Sequence, residues 1–342
     1  MLIQALLPEI HPRPTGGNLF NRQVLGFLET RTTVERRVIA AGAPVSPGPA
    51  PAATLVDSLV LAPSADLLRA TTGPRLLVAH YLHLFEPARR DSPEALRERT
   101  LLPLLDGAVT TSEYCREVLV REGVAEDRVL AVTPGLDPAY TAEPGPRPSG
   151  PPRILTVATP LEGKGLRQLA GILERLADLD WSWEIAGDPG LDEAFSAELR
   201  ERLGSSSVAG RVRLLGAVAP ERMVELYDRC HLFVLPSRFE SCSMATMEAM
   251  ARALPVVAYR VGGLPERLPP EAAPWLARPG DHEGLGVRLR RLLADPERTT
   301  ALGRANRRAS RSFPTWEESG RRVWELVSRL ATGVAASGTR SR

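Results

Sequence analysis

Lysine is almost absent from this chain. Of 43 basic residues, Lys164 is the only lysine and every other one is arginine. Cysteine is scarce as well. Cys115, Cys230 and Cys242 lack metal-site or disulfide spacing, which argues against a stapled secreted scaffold and points to reduced thiols in a cytosolic protein. No stretch approaches the about 18 uncharged apolar residues of a membrane-spanning helix. The opening MLIQALLPEI has no basic segment before its apolar run, so it reads as a buried first strand and not as a signal peptide. Net charge is only +2 and there is no basic block or tail, which removes nucleic acid from the expected partners.

What the chain does have is 342 residues of ordinary apolar content, enough for two domains that each bury a core. Short apolar runs alternate with amphipathic segments, the pattern of parallel sheets covered by helices. The stretch DPAYTAEPGPRPSGPP is rich in proline and glycine and reads as a linker over 141–152. This predicts an α/β protein of two Rossmann-like domains, 1–140 and 153–314, followed by a helix over 315–331 and a polar tail over 332–342.

The densest information lies between His231 and Glu266, HLFVLPSRFESCSMATMEAMARALPVVAYRVGGLPE. His231–Leu235 reads as a buried strand closed by Pro236-Ser237. Ser243 is placed to cap a helix over 244–253, and Pro255–Ala258 is the next strand, closed by Gly262-Gly263. Such a unit puts the loop before the helix at the carboxyl end of a parallel sheet, where ligands bind and where free helix N–H groups attract an anion. Glu240 lies in that loop and Glu248 one turn into the helix. Taken singly, both read as solvated acids. Elsewhere, Gly16-Gly17 stands at a strand-to-helix turn, and His80 ends the strand Leu76–Ala79, with His83 close behind. Singly, these read as an ordinary turn and a structural histidine.

The E-x7-E spacing of Glu240 and Glu248, inside PSRFE…EAMA…PVVA…GG…E, resembles the retaining GT-B glycosyltransferases of family 4 over about fifteen ordered positions. The resemblance is strong over 130–325 and fragmentary over 1–129. It implies the GT-B fold, two Rossmann-like domains facing across an interdomain cleft. The first domain would bind the acceptor and be braced by the last helix, and the second would bind a nucleotide sugar.

By position, Glu248 would hold the donor ribose, and Glu240 and His80 would touch the transferred sugar. Lys164, the backbone amides of Met244 and Ala245, and the Gly16-Gly17 turn would face the diphosphate. Val218 would lie near the base. The family's "GR…KG" loop reads ATPLEGKG here, so Thr159 stands where an arginine is usual and would bind the donor through one hydrogen bond, while Lys164-Gly165 is kept. Arginine is a broad planar fork and lysine a compact point charge. The one slot where lysine survives is thus a slot the resemblance marks. Ala253 stands where the family often has glycine, at a cost of roughly 1 kcal/mol if a left-handed helix cap is kept. The triplet Asp178-Leu179-Asp180 matches a metal-binding D-x-D pattern but falls at the amino end of a strand, so it is read as a solvated turn.

The expected reaction is metal-independent, cofactor-free transfer of a sugar from a nucleotide diphosphate sugar to a hydroxyl acceptor, with retention. The acceptor could be a glycan, a lipid-linked molecule or a small molecule. The expected location is cytoplasmic, with the mixed Arg/Glu helix over 93–105 leaving contact with the inner face of a membrane open. Two other readings stand beside it: a sugar-nucleotide epimerase of the same fold, and a binding-only relative, motivated by Thr159.

Overall fold

The computed structural model of the chain describes residues 1–9, 15–39 and 50–337. The chain divides into two compact units, Met1–Gly135 with Pro314–Arg342, and Leu136–Phe313.

The first unit is built on strands β1 (Leu2–Pro8), β2 (Thr33–Ile39), β3 (Ala53–Asp57), β4 (Arg75–Ala79), β5 (Gly107–Thr110) and β6 (Val129–Ala131). They form one parallel sheet in the order β2-β1-β3-β4-β5-β6. β3 and β5 are buried along their whole length and β4 almost so. A parallel sheet covered on both faces has no outward side to make polar, which is why these strands read as unbroken apolar runs. β2 is one edge, and its polar, half-exposed TVERRVI discourages pairing with a further strand. Helix α1 (Gly16–Glu29) covers one face through Phe20, Val24, Leu25 and Leu28. Against it pack Val323, Leu326 and Val327 of the C-terminal helix. Helices α2 (Ala65–Ala70), α3 (Pro93–Leu101) and α4 (Glu113–Arg121) complete this unit.

The second unit has β7 (Arg153–Val157), β8 (Ser182–Ala186), β9 (Val212–Gly216), β10 (Leu232–Leu235), β11 (Val256–Tyr259) and β12 (Leu276–Ala277). They are again all parallel, ordered β12-β11-β10-β7-β8-β9. Its helices are α5 (Leu166–Glu174), α6 (Glu193–Gly204), α7 (Pro220–Asp228), α8 (Met244–Ala251), α9 (His282–Leu293) and α10 (Pro296–Ser310). One face of the sheet is covered by a core holding Leu169, Leu173, Trp183, Leu285 and Leu289. The other face carries Leu155, Tyr227, Phe233, Met250 and Leu254.

The topology decides where loops part. In the second unit the chain runs outward from β7 through β8 to β9, then returns to the other side of β7 with β10. In the first, it runs from β1 out to β2 and returns beside β1 with β3. At the carboxyl ends of β7 and β10, and of β1 and β3, neighbouring loops therefore leave in opposite directions and open a crevice.

Three details depart from the sequence reading. The segment expected as a linker is part of the second unit. The Arg147 guanidinium donates to the carbonyls of Tyr227, Asp228, Cys230, Arg252 and Ala253. Arg252 and Arg307 hold the Ala142 and Thr141 carbonyls. Composition announces a flexible stretch, but buried arginines supply the donors that pin it. Second, the final helix, α11 (Trp316–Ser337), continues past the expected stop at 331, so most of the expected tail is helical and 338–342 lies outside the described residues. Its start is a reciprocal cap: Thr315 N–H donates to the Glu318 carboxylate at 2.7 Å, and Glu318 N–H to the Thr315 hydroxyl at 3.2 Å. Third, the expected helix over 93–105 stops being α-helical at Leu101 and finishes as a short 3-10 turn, Leu102–Leu104, because Pro103 has no N–H for the ladder.

Candidate functional site

In the second unit the residues gather where β7 and β10 end side by side. The loop after β7 carries Lys164 and the loop after β10 carries Glu240. The Lys164 ammonium donates to Glu240 Oε1 at 2.7 Å. Glu240 is 9% exposed, while the lysine side chain keeps 29% of its surface in solvent. The loops are tied by backbone as well, through Arg238 N–H donating to the Gly163 carbonyl at 2.8 Å. Gly165 has φ +69, and a Cβ there would stand 2.1 Å from the Pro236 carbonyl oxygen. The glycine after Lys164 is thus forced by geometry, since a side chain at 165 would push the lysine's loop off β10. On the other flank Gly263 N–H donates to the Glu240 carbonyl at 3.0 Å, and a Cβ on Gly262 would lie 2.0 Å from that oxygen.

Three residues beyond Glu240, Ser243 starts α8. Its hydroxyl accepts from Thr246 N–H, and it adopts φ +64, a left-handed conformation that costs a non-glycine residue roughly 1 kcal/mol or more. The Met244 and Ala245 N–H groups have no acceptor among the described residues, leaving two first-turn donors for an anion. At the far end of α8, Ala253 keeps φ +55, so the left-handed cap expected there is retained without glycine.

Glu248 is not a solvated acid. Its Oε2 accepts from the Tyr227 hydroxyl at 2.8 Å, and that hydroxyl also reaches the Ala245 carbonyl at 3.3 Å. Burial pushes the Glu248 carboxyl up to about 7. The Tyr227 hydrogen bond opposes that rise and the neighbouring Asp137 charge adds to it. Tyr140 packs edge-on against Tyr227, with ring centroids 5.8 Å apart.

In the first unit a second group forms where β1, β3 and β4 end. Asp57 closes β3, and its carboxylate accepts from Leu59 N–H at 2.8 Å and from the Asn21 amide at 2.5 Å. Asn21 Oδ1 meets His80 Nε2 at 2.9 Å. His80 follows directly on β4, and its backbone N–H donates to the Ser58 hydroxyl at 3.1 Å. Its ring packs edge-on against Phe20, 5.4 Å between centroids. Burial lowers the basicity of His80, and the Asp57 charge partly offsets this. Gly16 and Gly17 form the first turn of α1 behind the Thr15 cap, which takes the Asn18 N–H. A Cβ on Gly17 would stand 3.1 Å from His80 Cγ, so the missing side chain makes room for the imidazole. Residues 17, 20 and 21 share one helix face, and that face holds the ring.

Thr159 sits beside Gly187, where a Cβ would meet Thr159 N at 3.0 Å. Val218 lies in the turn after β9 and packs on the core around Tyr227. The Lys164–Glu240 contact includes neither of them. His83 is engaged by Glu98, Nδ1 to Oε1 at 2.9 Å, in a local fold of its own. The Asp178 carboxylate pairs with Arg290 at 2.6 and 2.8 Å on the surface. Among the described residues no group of three or more His, Cys, Asp or Glu is arranged to hold a metal ion. Cys242 is buried against Met247, sulfur to sulfur 3.7 Å, and burial pushes its thiol up to about 11, so it serves as apolar filling.

Residues 151–295 match the family model described as glycosyl transferases group 1. The matched segment lies within the second unit, and it marks the chain as a glycosyltransferase similar to group 1. It is 28% identical over 288 residues to the D-inositol 3-phosphate glycosyltransferase of Corynebacterium efficiens, covering 78% of this chain and 68% of that protein. It is 27% identical over 289 residues to the alpha-maltose-1-phosphate synthase of Mycolicibacterium smegmatis, covering 75% and 73%. With the amylovoran biosynthesis glycosyltransferase AmsK of Erwinia amylovora it shares 27% over 220 residues, about half of that protein (51%) and 61% of this chain. Among solved structures, the sucrose-phosphate synthase of Thermosynechococcus elongatus superposes with a TM-score of 0.80 at 20% identity, over 97% of this chain and all of that one. Anabaena HepE, solved in complex with UDP-glucose, gives 0.77 at 16% identity over 96% and 100%. These likenesses establish the GT-B fold.

Three residues of this glycosyltransferase escaped the sequence reading: Tyr227, which holds Glu248, and Asn21 and Asp57, which hold His80. Tyr227 is 21 residues from its glutamate, and Asn21, Asp57 and His80 span 59 positions. No local pattern could have paired them. The one available signal was Asp57 itself, a lone acid inside the apolar run LVDSLV.

Proposed function

We propose that this glycosyltransferase moves a sugar from a nucleotide diphosphate sugar to a hydroxyl acceptor, with retention of anomeric configuration and without a metal ion. The observation that carries this reading is the Lys164–Glu240 pair at the β7/β10 crevice, next to the open end of α8. As the bond between the anomeric carbon and the diphosphate breaks, negative charge grows on the departing phosphate. Preorganised donors aimed at that charge supply most of such catalysis. Lys164 and the Met244 and Ala245 amides have that chemistry. Gly16 and Gly17 are assigned the same role from the first unit. Glu248 is assigned to the ribose hydroxyls, since a carboxylate accepts from a vicinal diol. Glu240 and His80 are assigned to orienting the sugar. The acceptor oxygen forms its bond to the anomeric carbon on the face the phosphate leaves, and its proton passes to that phosphate. Thr159 leaves one positive charge fewer than the related loop carries, so Lys164 bears more of the load. Val218 is assigned to the base.

The test is a transfer and donor-hydrolysis assay of the purified chain over a panel of nucleotide sugars, with the product anomer read by NMR. Donor turnover with retention, insensitive to EDTA and lost in Lys164→Ala, is the expected result. Inversion, chelator sensitivity, or full turnover by the alanine variant would each overturn the corresponding part of the proposal. Thermal stabilisation by the preferred nucleotide sugar would name the donor.

A further inference from the structure

We infer that Asp57 and Asn21 are positioning residues that hold His80 in one tautomer, with its proton on Nε2 and the Nδ1 lone pair offered to a ligand hydroxyl. This rests on the assignment of His80 to the transferred sugar and deepens it.

The chain of hydrogen bonds has a direction. Both Asp57 carboxylate oxygens are acceptors. Oδ1 is taken by Leu59 N–H at 2.8 Å, and Oδ2 lies 2.5 Å from the Asn21 side-chain amide. The group on Asn21 facing Asp57 must therefore be NH2, because the flipped amide would press oxygen against oxygen. That leaves Asn21 Oδ1 facing His80 Nε2 at 2.9 Å, with Asp57 Oδ2 itself 3.6 Å from the same nitrogen. Two acceptors converge on Nε2, so Nε2 carries the proton. Asn21 and Asp57 are 7% and 2% exposed, which keeps water from substituting for either partner. Burial keeps the ring neutral, so its remaining nitrogen is a lone-pair acceptor. Among the described residues Nδ1 has no protein partner.

The consequence concerns what His80 recognises. A neutral imidazole that offers only a lone pair binds an O–H donor and repels an anionic oxygen. His80 is therefore a reader of a sugar hydroxyl and no part of the diphosphate clamp. Its tautomer is set through Asn21 by one buried charge that lies 36 positions from that asparagine in the chain. Asp57→Asn keeps the shape and the Leu59 contact but frees Asn21 to rotate and present NH2 to Nε2, which drives the proton to Nδ1.

The test uses the full chain labelled with 15N-histidine, at pH 8 where the ring is neutral. Wild type should show the Nε2–H signature for His80. Asp57→Asn should shift it toward Nδ1–H and lower kcat about tenfold or more, with KM for the donor little changed. The exchanged pair, Asp57→Asn with Asn21→Asp, puts the carboxylate between the new amide at position 57 and His80. It should restore the Nε2–H signature and most of kcat. Thermal melts separate either effect from misfolding. An Asp57→Asn protein that keeps the Nε2–H tautomer, or an exchanged pair that regains the tautomer without kcat, would overturn the inference. If His80→Ala turns over normally, the assignment of His80 to the sugar fails, while the tautomer result is read independently by NMR.

Discussion

The two units are the same architecture used in two ways. Each is a six-stranded parallel sheet with a crevice at its topological switch point, yet the strand orders differ, β2-β1-β3-β4-β5-β6 against β12-β11-β10-β7-β8-β9. The second unit places charge at its crevice: Lys164 on Glu240, and Glu248 held by Tyr227. The first places a neutral imidazole there, held by an amide and a buried carboxylate. A group that must meet charge needs backbone brought close to it, which requires glycines and a helix start at set distances. Such constraints are local and leave a compact signature in the chain. A neutral hydrogen-bond reader needs only that two strand ends and one helix face converge, which leaves no signature.

The sharpest way to break this contrast is to remove the charge. Lys164→Ala should lower turnover by about 10²–10³-fold, as expected for the loss of a donor aimed at developing charge. A variant with unchanged kcat would reduce the second unit's crevice to a structural ion pair. Next come the glycines that hold each site. Gly165→Ala should cost more than about 2 kcal/mol in a denaturant titration, because φ +69 and a 2.1 Å contact with backbone oxygen leave nothing to yield. Gly17→Ala should stay within about 1 kcal/mol of wild type, since helix propensity improves while the His80 ring gives way, yet turnover should fall. Equal stability losses at the two positions would erase the difference between a backbone-forced and a ring-forced glycine.

A subtler test reads Glu248 through pH. Its carboxyl is pushed up to about 7 by burial, and a raised acid binds more protons folded than unfolded. Its stabilising contribution is therefore present at low pH and lost as pH rises from the ordinary glutamate range through about 7. Donor affinity should run the other way, growing as the carboxylate forms. Tyr227→Phe removes the hydrogen bond that favours the ionised form, so the affinity midpoint should move to higher pH. A midpoint that stays put or falls would show that Tyr227 does not hold the carboxylate. Smallest is Ala253→Gly. It relieves φ +55 in the folded state but loosens the unfolded chain, so stability should rise by no more than about 1 kcal/mol.

Much of the second unit was legible in the chain because its charged residues and its loops are one local object. The strands on either side of Glu240, the Ser243 cap, the left-handed Ala253 and the solitary lysine all lie in stretches where spacing dictates conformation. The proline-rich segment 141–152 misleads for the opposite reason. Its proline and glycine content describes the segment alone, while its fate was settled by Arg147, Arg252 and Arg307, two of them more than 100 residues away. In the first unit, Gly17 and His80 could be noticed singly but not joined.

The amino-acid order by itself determined the secondary elements, the two α/β units and the charged residues that a diphosphate would need, because caps, glycines and apolar periodicity act within a few positions. Only the tertiary structure decided that β7 and β10 end side by side, so that one ammonium meets one carboxylate, and that Asn21, Asp57 and His80 share a hydrogen-bond chain. Strand order is settled by how sheets close over their cores, and a partner chosen across a sheet leaves no trace in the residues next to it in the chain.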